Sequence, residues 1–103
     1  MAIRAQVSSE EGGDVLTISV SGKFDIGSYK EFSQAYKDRP EAISKYVINM
    51  AEVEYIDSSA LGMILMLRER AGGEKARIDI VNCSAGIKKI LKTANFDKLF
   101  GVE

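Results

Sequence analysis

The strongest constraint on the fold is a strand-like run followed by a polar cluster and then a helix-like run. Residues Tyr46 to Met50 are apolar and β-branched, which is typical of a strand buried on both faces of a parallel sheet. The cluster Asp57-Ser58-Ser59 then provides three residues that favour the N-cap, where a side-chain oxygen accepts from backbone N–H groups without a partner in the helix. The pattern predicts a strand leading into a helix that begins at this cluster.

This helix carries more apolar surface than one buried stripe requires. At about 100° per residue its side chains separate into two groups. One group contains Ala60, Ile64, Leu67 and Ala71, and the other contains Gly62, Met63 and Met66. Two interpretations stay open: the helix is wedged inside the core, or it has a core face and an exposed adhesive face. Flexible methionine suits the second, because its thioether adapts to varied partners.

The residues before this unit predict a hairpin and a helix. Strand-like runs at 3–7 and 15–20 flank a turn-rich segment at 8–14. Ser28 is predicted to cap a first helix that runs to about Asp38, before Arg39-Pro40 ends it.

The residues after it predict two further elements and a short tail. Gly72-Gly73 closes the central helix, a strand covers 76–81, and Ser84 caps a third helix with apolar residues at helical spacing. These apolar residues are Ile87, Ile90, Leu91 and Ala94. The order ββαβαβα plus a short terminal strand predicts one α/β domain, residues 1–103, with helices packed against a mixed, largely parallel sheet.

Composition argues against several kinds of partner and location. Fourteen basic and fifteen acidic residues give a net charge of −1, so no basic excess exists to neutralise a nucleic-acid backbone. No run approaches the length of a membrane span, and the first residues do not resemble a signal peptide. The single Cys83, placed in an apolar strand, suits a reducing compartment. We therefore expect a cytoplasmic protein with no nucleic-acid or membrane partner.

The residue types present also argue against catalysis and metal binding. The chain has no histidine, which removes the commonest general base near neutral pH and the commonest metal ligand. Carboxylates such as those of Glu52, Glu54 and Asp57 are more typical of a solvated face than of a cation site. We expect no enzyme activity, no metal and no cofactor, and we assign Lys88 and Lys89 no role.

Two motifs carry a resemblance to a known family. Residues Asp57-Ser58-Ser59-Ala60-Leu61-Gly62 resemble the signature of STAS domains, the family of bacterial anti-sigma factor antagonists, and Ser21-Gly22-Lys23-Phe24-Asp25 resembles the family's Gly-x-Leu-Asp turn. Ala60 stands where many members have glycine, and the chain lacks the final helix common in the family, which leads us to expect a less covered sheet face.

The resemblance implies a partner switch. The unmodified domain would bind an anti-sigma factor or a histidine-kinase-like serine kinase, phosphorylation of Ser58 would release that partner, and a PP2C-type phosphatase would reverse the modification. The partner-binding residues that it implies, together with the adhesive face, are Asp25, Asp57, Ser58, Ser59, Gly62, Met63 and Met66. We expect a monomer.

Other interpretations of the same residues stay open. Ser58 or Ser59 is alternatively only an N-cap, and Asp25 is equally a cap or a partner contact. Alternative functions are a constitutive STAS scaffold subunit of a larger complex and a small-ligand or nucleotide-binding module.

Overall fold

The computed structural model describes residues 2–37 and 42–103 as five strands, three α-helices and three short 3-10 turns. In chain order the strands and α-helices are β1 (Ala2–Glu10), β2 (Gly13–Phe24), α1 (Tyr29–Lys37), β3 (Ile43–Ile56), α2 (Ser58–Arg70), β4 (Ile78–Val81), α3 (Ala85–Thr93) and β5 (Gly101–Val102). The 3-10 turns are Ile26–Ser28, Gly73–Lys75 and Phe96–Lys98. The predicted order of elements is confirmed.

The strands form one mixed sheet in the order β1-β2-β3-β4-β5. The hairpin pair β1 and β2 is antiparallel, and every later pair is parallel. Ile18 of β2 lies between Ala5 of β1 and Ile48 of β3, and Ile48 in turn pairs with Ile80 of β4. The mixed, largely parallel sheet predicted from the sequence is thus confirmed.

The hydrophobic core lies on one face of this sheet. From β2 onward each parallel strand is added on the same side of the previous one, so right-handed crossovers place the connecting helices on a single face. All three α-helices of the described part contribute to that core. Its fully buried side chains include Leu16, Ile18, Ile48, Ile64, Leu67, Ile80 and Leu91. On the opposite face, Thr17, Val47 and Asp79 lie side by side and stay half-exposed.

The first four strands differ in their bounds from the prediction. β1 and β2, predicted over 3–7 and 15–20, extend over Ala2–Glu10 and Gly13–Phe24. β3 extends beyond Met50 to Ile56, because β2 also continues and pairs with it as far as Phe24, with irregular register along the way. β4 begins at Ile78, two residues later than predicted. Cys83 lies after β4 rather than within it, since Asn82 adopts a left-handed conformation with φ of 59° that ends the strand.

The start of α1 also differs from the prediction. Ser28 is not an N-cap but the last residue of the 3-10 turn, and it is fully buried. Its Oγ accepts a hydrogen bond from the Asp25 amide and donates one to the Lys23 carbonyl, both at 3.3 Å. The Ser28 hydroxyl therefore forms its hydrogen bonds with the loop before α1 and does not cap that helix. The predicted helix end at Asp38 and Arg39-Pro40 lies outside the described residues.

Candidate functional site

The two motif aspartates lie at the same edge of the sheet. Phe24 and Ile56 are paired residues at the carboxyl ends of the parallel strands β2 and β3. Asp25 and Asp57 directly follow them, and each caps the helical segment that comes next. Parallel pairing therefore brings together two motifs that are separated by about thirty residues in the chain.

Asp57 is the residue that caps α2. It has extended backbone geometry, its Oδ1 accepts a hydrogen bond from the Ala60 amide at 3.1 Å, and its carbonyl accepts one from the Leu61 amide at 3.2 Å. A carboxylate at this position also interacts favourably with the positive end of the helix dipole. The interpretation that Ser58 or Ser59 is the N-cap is thus wrong.

Because Asp57 takes the capping role, the two serine hydroxyls are left for other uses. Ser58 is the first residue of α2 and is exposed, whereas Ser59 is half-buried. Neither hydroxyl hydrogen-bonds to any residue in the described part of the chain. Ser58 therefore presents a solvent-accessible hydroxyl at the N-terminus of a helix.

Asp25 caps the 3-10 turn with a reciprocal set of hydrogen bonds. Its Oδ1 accepts from the Gly27 amide at 2.9 Å, while the Ser28 Oγ accepts from the Asp25 amide. This arrangement is a capping box, which provides acceptors for two backbone amides at the N-terminal end of the turn. The capping role predicted as one alternative is confirmed, and a contact from Asp25 to a partner stays a prediction.

The predicted division of α2 into two faces is only partly correct. Met63 is 3% exposed and belongs to the core, so its placement on an exposed face is wrong. It comes three residues after Ala60 and four before Leu67, both fully buried, and so lies on the same helical stripe. Met66 is 44% exposed and Gly62 is half-exposed, as an adhesive face requires.

Two exposed apolar residues close to the motif aspartates in the chain were not singled out from the sequence. Ile26, directly after Asp25, is 69% exposed, and Tyr55, just before the last residue of β3, is 49% exposed. The 3-10 turn that contains Ile26 contacts α2. A sequence signal was available, since each lies within two residues of a motif aspartate. We call Ile26, Ser58, Gly62 and Met66 the switch surface.

Neither a metal site nor a reactive thiol lies in the described part of the chain. Within residues 2–37 and 42–103, no three His, Cys, Asp or Glu side chains are grouped as metal ligands would be. Burial raises the pKa of the Cys83 thiol above its ordinary value, and nearby Lys88 lowers it by less. The thiol is therefore protonated and weakly nucleophilic at neutral pH. None of the described helices has both the length and the apolar character needed to cross a bilayer.

Comparison with known proteins identifies the family. The family model described as "Mlab, STAS domain" matches residues 7–101. This chain belongs to the STAS domain family. A STAS-domain containing protein of Pseudomonas aeruginosa (strain UCBPP-PA14) is 44% identical over 102 residues, which cover 99% of each chain.

Solved structures share the STAS fold at low sequence identity. The anti-sigma factor antagonist SpoIIAA in its unphosphorylated form matches with a TM-score of 0.76 at 17% identity, covering 99% of this chain and 88% of that one. The Bacillus cell fate determinant SpoIIAA in its phosphorylated form matches with a TM-score of 0.66 at 17% identity, covering 99% and 91%. These similarities establish the five-stranded α/β architecture of this STAS domain.

Proposed function

We propose that this STAS domain is an anti-sigma factor antagonist that acts as a phosphorylation-controlled partner switch. The observation that carries the proposal is the placement of Ser58, an exposed hydroxyl at the first position of α2, next to a separate capping aspartate and within an exposed apolar surface. A phosphoacceptor needs an accessible hydroxyl, and a switch needs that hydroxyl to lie where a partner binds.

Phosphorylation of Ser58 is compatible with the fold. A phosphate adds about −1.5 to −2 charges, which the positive end of a helix dipole tolerates. The Asp57 cap does not use the Ser58 hydroxyl, so modification breaks no hydrogen bond within the described residues. The modified domain is therefore expected to stay folded.

The same phosphate would weaken binding at the switch surface. Met66 and Ile26 offer apolar contact area, and a partner covering them would have to strip water from the phosphate on Ser58. A penalty of roughly 3 kcal/mol corresponds to a binding loss of about a hundredfold. A single local charge would thus separate a bound from a released state.

The partner classes follow from the family resemblance. The unphosphorylated domain would bind an anti-sigma factor or a histidine-kinase-like serine kinase through the switch surface and Asp25, and a PP2C-type phosphatase would restore binding. Support comes from the fold relative SpoIIAA, an anti-sigma factor antagonist solved in both unphosphorylated and phosphorylated forms. At 17% identity this relative supports a switch mechanism, whereas the partner classes come from the family resemblance.

The test combines site mapping with matched variants. Protein isolated from its own cells is analysed by intact mass and by peptide mapping around Ser58. Pull-downs then compare wild type with Ser58→Ala and Ser58→Asp, and Ser59→Asp serves as a control with the same charge one residue away. Circular dichroism confirms that all variants are folded.

We expect phosphate on Ser58, partner retention by Ser58→Ala, loss by Ser58→Asp, and a smaller loss by Ser59→Asp. An unmodified serine together with identical partners for every variant would sink the switch and favour a constitutive scaffold. Loss of the partner by both Ser58→Ala and Ser58→Asp, with retention by Ser59→Asp, would mean that the Ser58 hydroxyl itself is the contact rather than the site of control.

A further inference from the structure

A shallow apolar groove runs between α2 and α3. A cavity of about 350 Å³ is lined by Leu61 of α2 and by Lys89, Ile90, Thr93 and Ala94 on or just after α3. Ile90 is 43% exposed, although it shares its helical spacing with Ile87 and Leu91, which are buried. The apolar side chain of Ile90 thus faces a groove that no element in the described ranges fills.

The rim of this groove is basic. A second depression of about 430 Å³ adjoins it, sharing Lys89 and Thr93, and is lined in addition by Ala85, Lys88 and Lys92. No residue of α3 is acidic, and the one ion pair found among residues 2–37 and 42–103 joins Lys45 to Asp79, on the sheet. The lysine charges of α3 are therefore available to groups outside the chain.

The groove is continuous with the switch surface. Leu61, which lines it, comes three residues after Ser58 and so lies about one helical turn further along α2. Leu65, one turn further again, is exposed on the same side of the helix. A partner that covers Ser58 and Gly62 would therefore meet Leu61 and the α3 rim without a gap.

We propose that this groove holds an acidic amphipathic helix of the same partner protein that binds the switch surface, an inference that rests on the proposed function. Leu61, Ile90 and Ala94 supply the apolar floor that helix-in-groove recognition requires. Lys88, Lys89 and Lys92 form a rim for carboxylates on the polar side of such a helix.

This occupant also gives the phosphate a second way to act. The partner's carboxylates and a phosphate on Ser58 carry the same charge and would lie near one set of lysines. The phosphate would then repel the acidic helix, in addition to adding the cost of its own desolvation when the partner covers the switch surface. The α3 lysines would make the response to phosphate depend on ionic strength.

Site-specific photo-crosslinking tests the groove in the full chain. A photoreactive phenylalanine analogue replaces Ile90 in the groove, Met66 on the switch surface, or Gln6 on the opposite sheet face as a control. Crosslinking is performed in the protein's own cells, and the crosslinked partner peptide is sequenced. We expect Met66 and Ile90 to capture the same protein, Ile90 to map to an acidic amphipathic helix, and Gln6 to capture neither.

Charge reversal then measures the contribution of the rim. Lys89→Glu combined with Lys92→Glu is expected to lower the yield of the crosslink from position 66 about tenfold, because two attractive pairs become repulsive. Lys75→Glu combined with Arg77→Glu changes the net charge equally at exposed sites outside the groove, and it should leave the yield within about twofold.

The outcomes separate this inference from the proposed function. A crosslink from position 66 without one from position 90 would overturn the proposal that the groove binds the partner and would leave the proposed switch intact. No crosslink from either position would overturn both proposals. Capture by Ile90 of a peptide without acidic residues would overturn the charge recognition.

Sedimentation with vesicles of phosphatidylglycerol and phosphatidylcholine forms a further arm. If vesicles bind in a lysine-dependent way and no protein is crosslinked, the ligand is an anionic membrane surface and the proposal of an acidic partner helix is overturned.

Discussion

The substitution Gly62→Ala should make this STAS domain more stable. Gly62 lies inside α2 and is half-exposed, and a Cβ atom built on it meets no other heavy atom within 4 Å outside its own helix backbone. Glycine in a helix interior costs about 0.8 to 1.0 kcal/mol relative to alanine, mainly through backbone entropy. With no clash to offset the gain, the free energy of unfolding should rise by roughly 0.8 kcal/mol. The midpoint of thermal unfolding should rise by about 3 to 6 °C.

Urea unfolding followed by far-UV circular dichroism measures this gain, and Gly101→Ala provides a contrasting control. At Gly101 a new Cβ would collide with the Asp79 carboxylate, which pairs with Lys45 at 2.9 Å, so the same chemical change should destabilise the domain. A neutral or negative effect of Gly62→Ala would refute the reasoning, because it would require a contact at position 62 that the structure lacks.

The cost of this glycine is consistent with a docking role. The missing side chain keeps the switch surface flat between Ser58 and Met66, so that a partner can approach the helix backbone. Gly62→Leu adds bulk in the same open space and should preserve the fold while weakening partner binding. Retained binding would exclude close approach at this point.

Three further predictions concern individual side chains. Asp57→Ala should cost about 1 kcal/mol in urea unfolding through loss of the α2 cap, whereas Asp57→Asn should be close to neutral; equal losses would argue against capping. Burial raises the pKa of Tyr36, and the neighbouring Tyr29 raises it further by a smaller amount. The folded state therefore holds the phenol proton more tightly than the unfolded state. The free energy of unfolding should fall as pH rises above the ordinary pKa of 10.0. Tyr36→Phe should lessen that alkaline loss in urea unfolding, and an unchanged loss would contradict this origin. Because burial raises the pKa of Cys83, iodoacetamide should alkylate it slowly at neutral pH and faster in urea; a neutral-pH rate in the folded protein equal to that of free cysteine would contradict this.

Predictions that depend on a few neighbouring residues were largely correct. The hairpin turn, the helix start at the Asp57 cluster and the third helix capped by Ser84 are all present, and the Ser84 Oγ accepts from the Ile87 amide at 3.3 Å. The end of α2 is also as predicted, because the C-cap Ala71 is followed by Gly72 and Gly73, which both have positive φ, at 122° and 63°. These features depend on hydrogen bonds and backbone preferences within one turn, so they can be predicted from the residue types in that turn.

Predictions that depend on distant contacts were less accurate. Ser28 is a capping residue by type, but the fold uses its hydroxyl to tie Asp25 to the Lys23 carbonyl. β3 is longer than its apolar run because β2 extends alongside it to Phe24. Pairing between strands supplies hydrogen bonds that no pattern within one segment reveals.

Local chemistry makes three features readable from the amino-acid types: the order of elements, the capped start of α2 and the serine at that start. Tertiary structure alone decided which apolar side chains are hidden. Ile90 shares its helical spacing with Ile87 and Leu91, yet these two are buried while Ile90 faces the groove. The difference arises because burial depends on how each helix is rotated against the sheet and on what lies opposite, and hydrophobicity along one helix does not encode either.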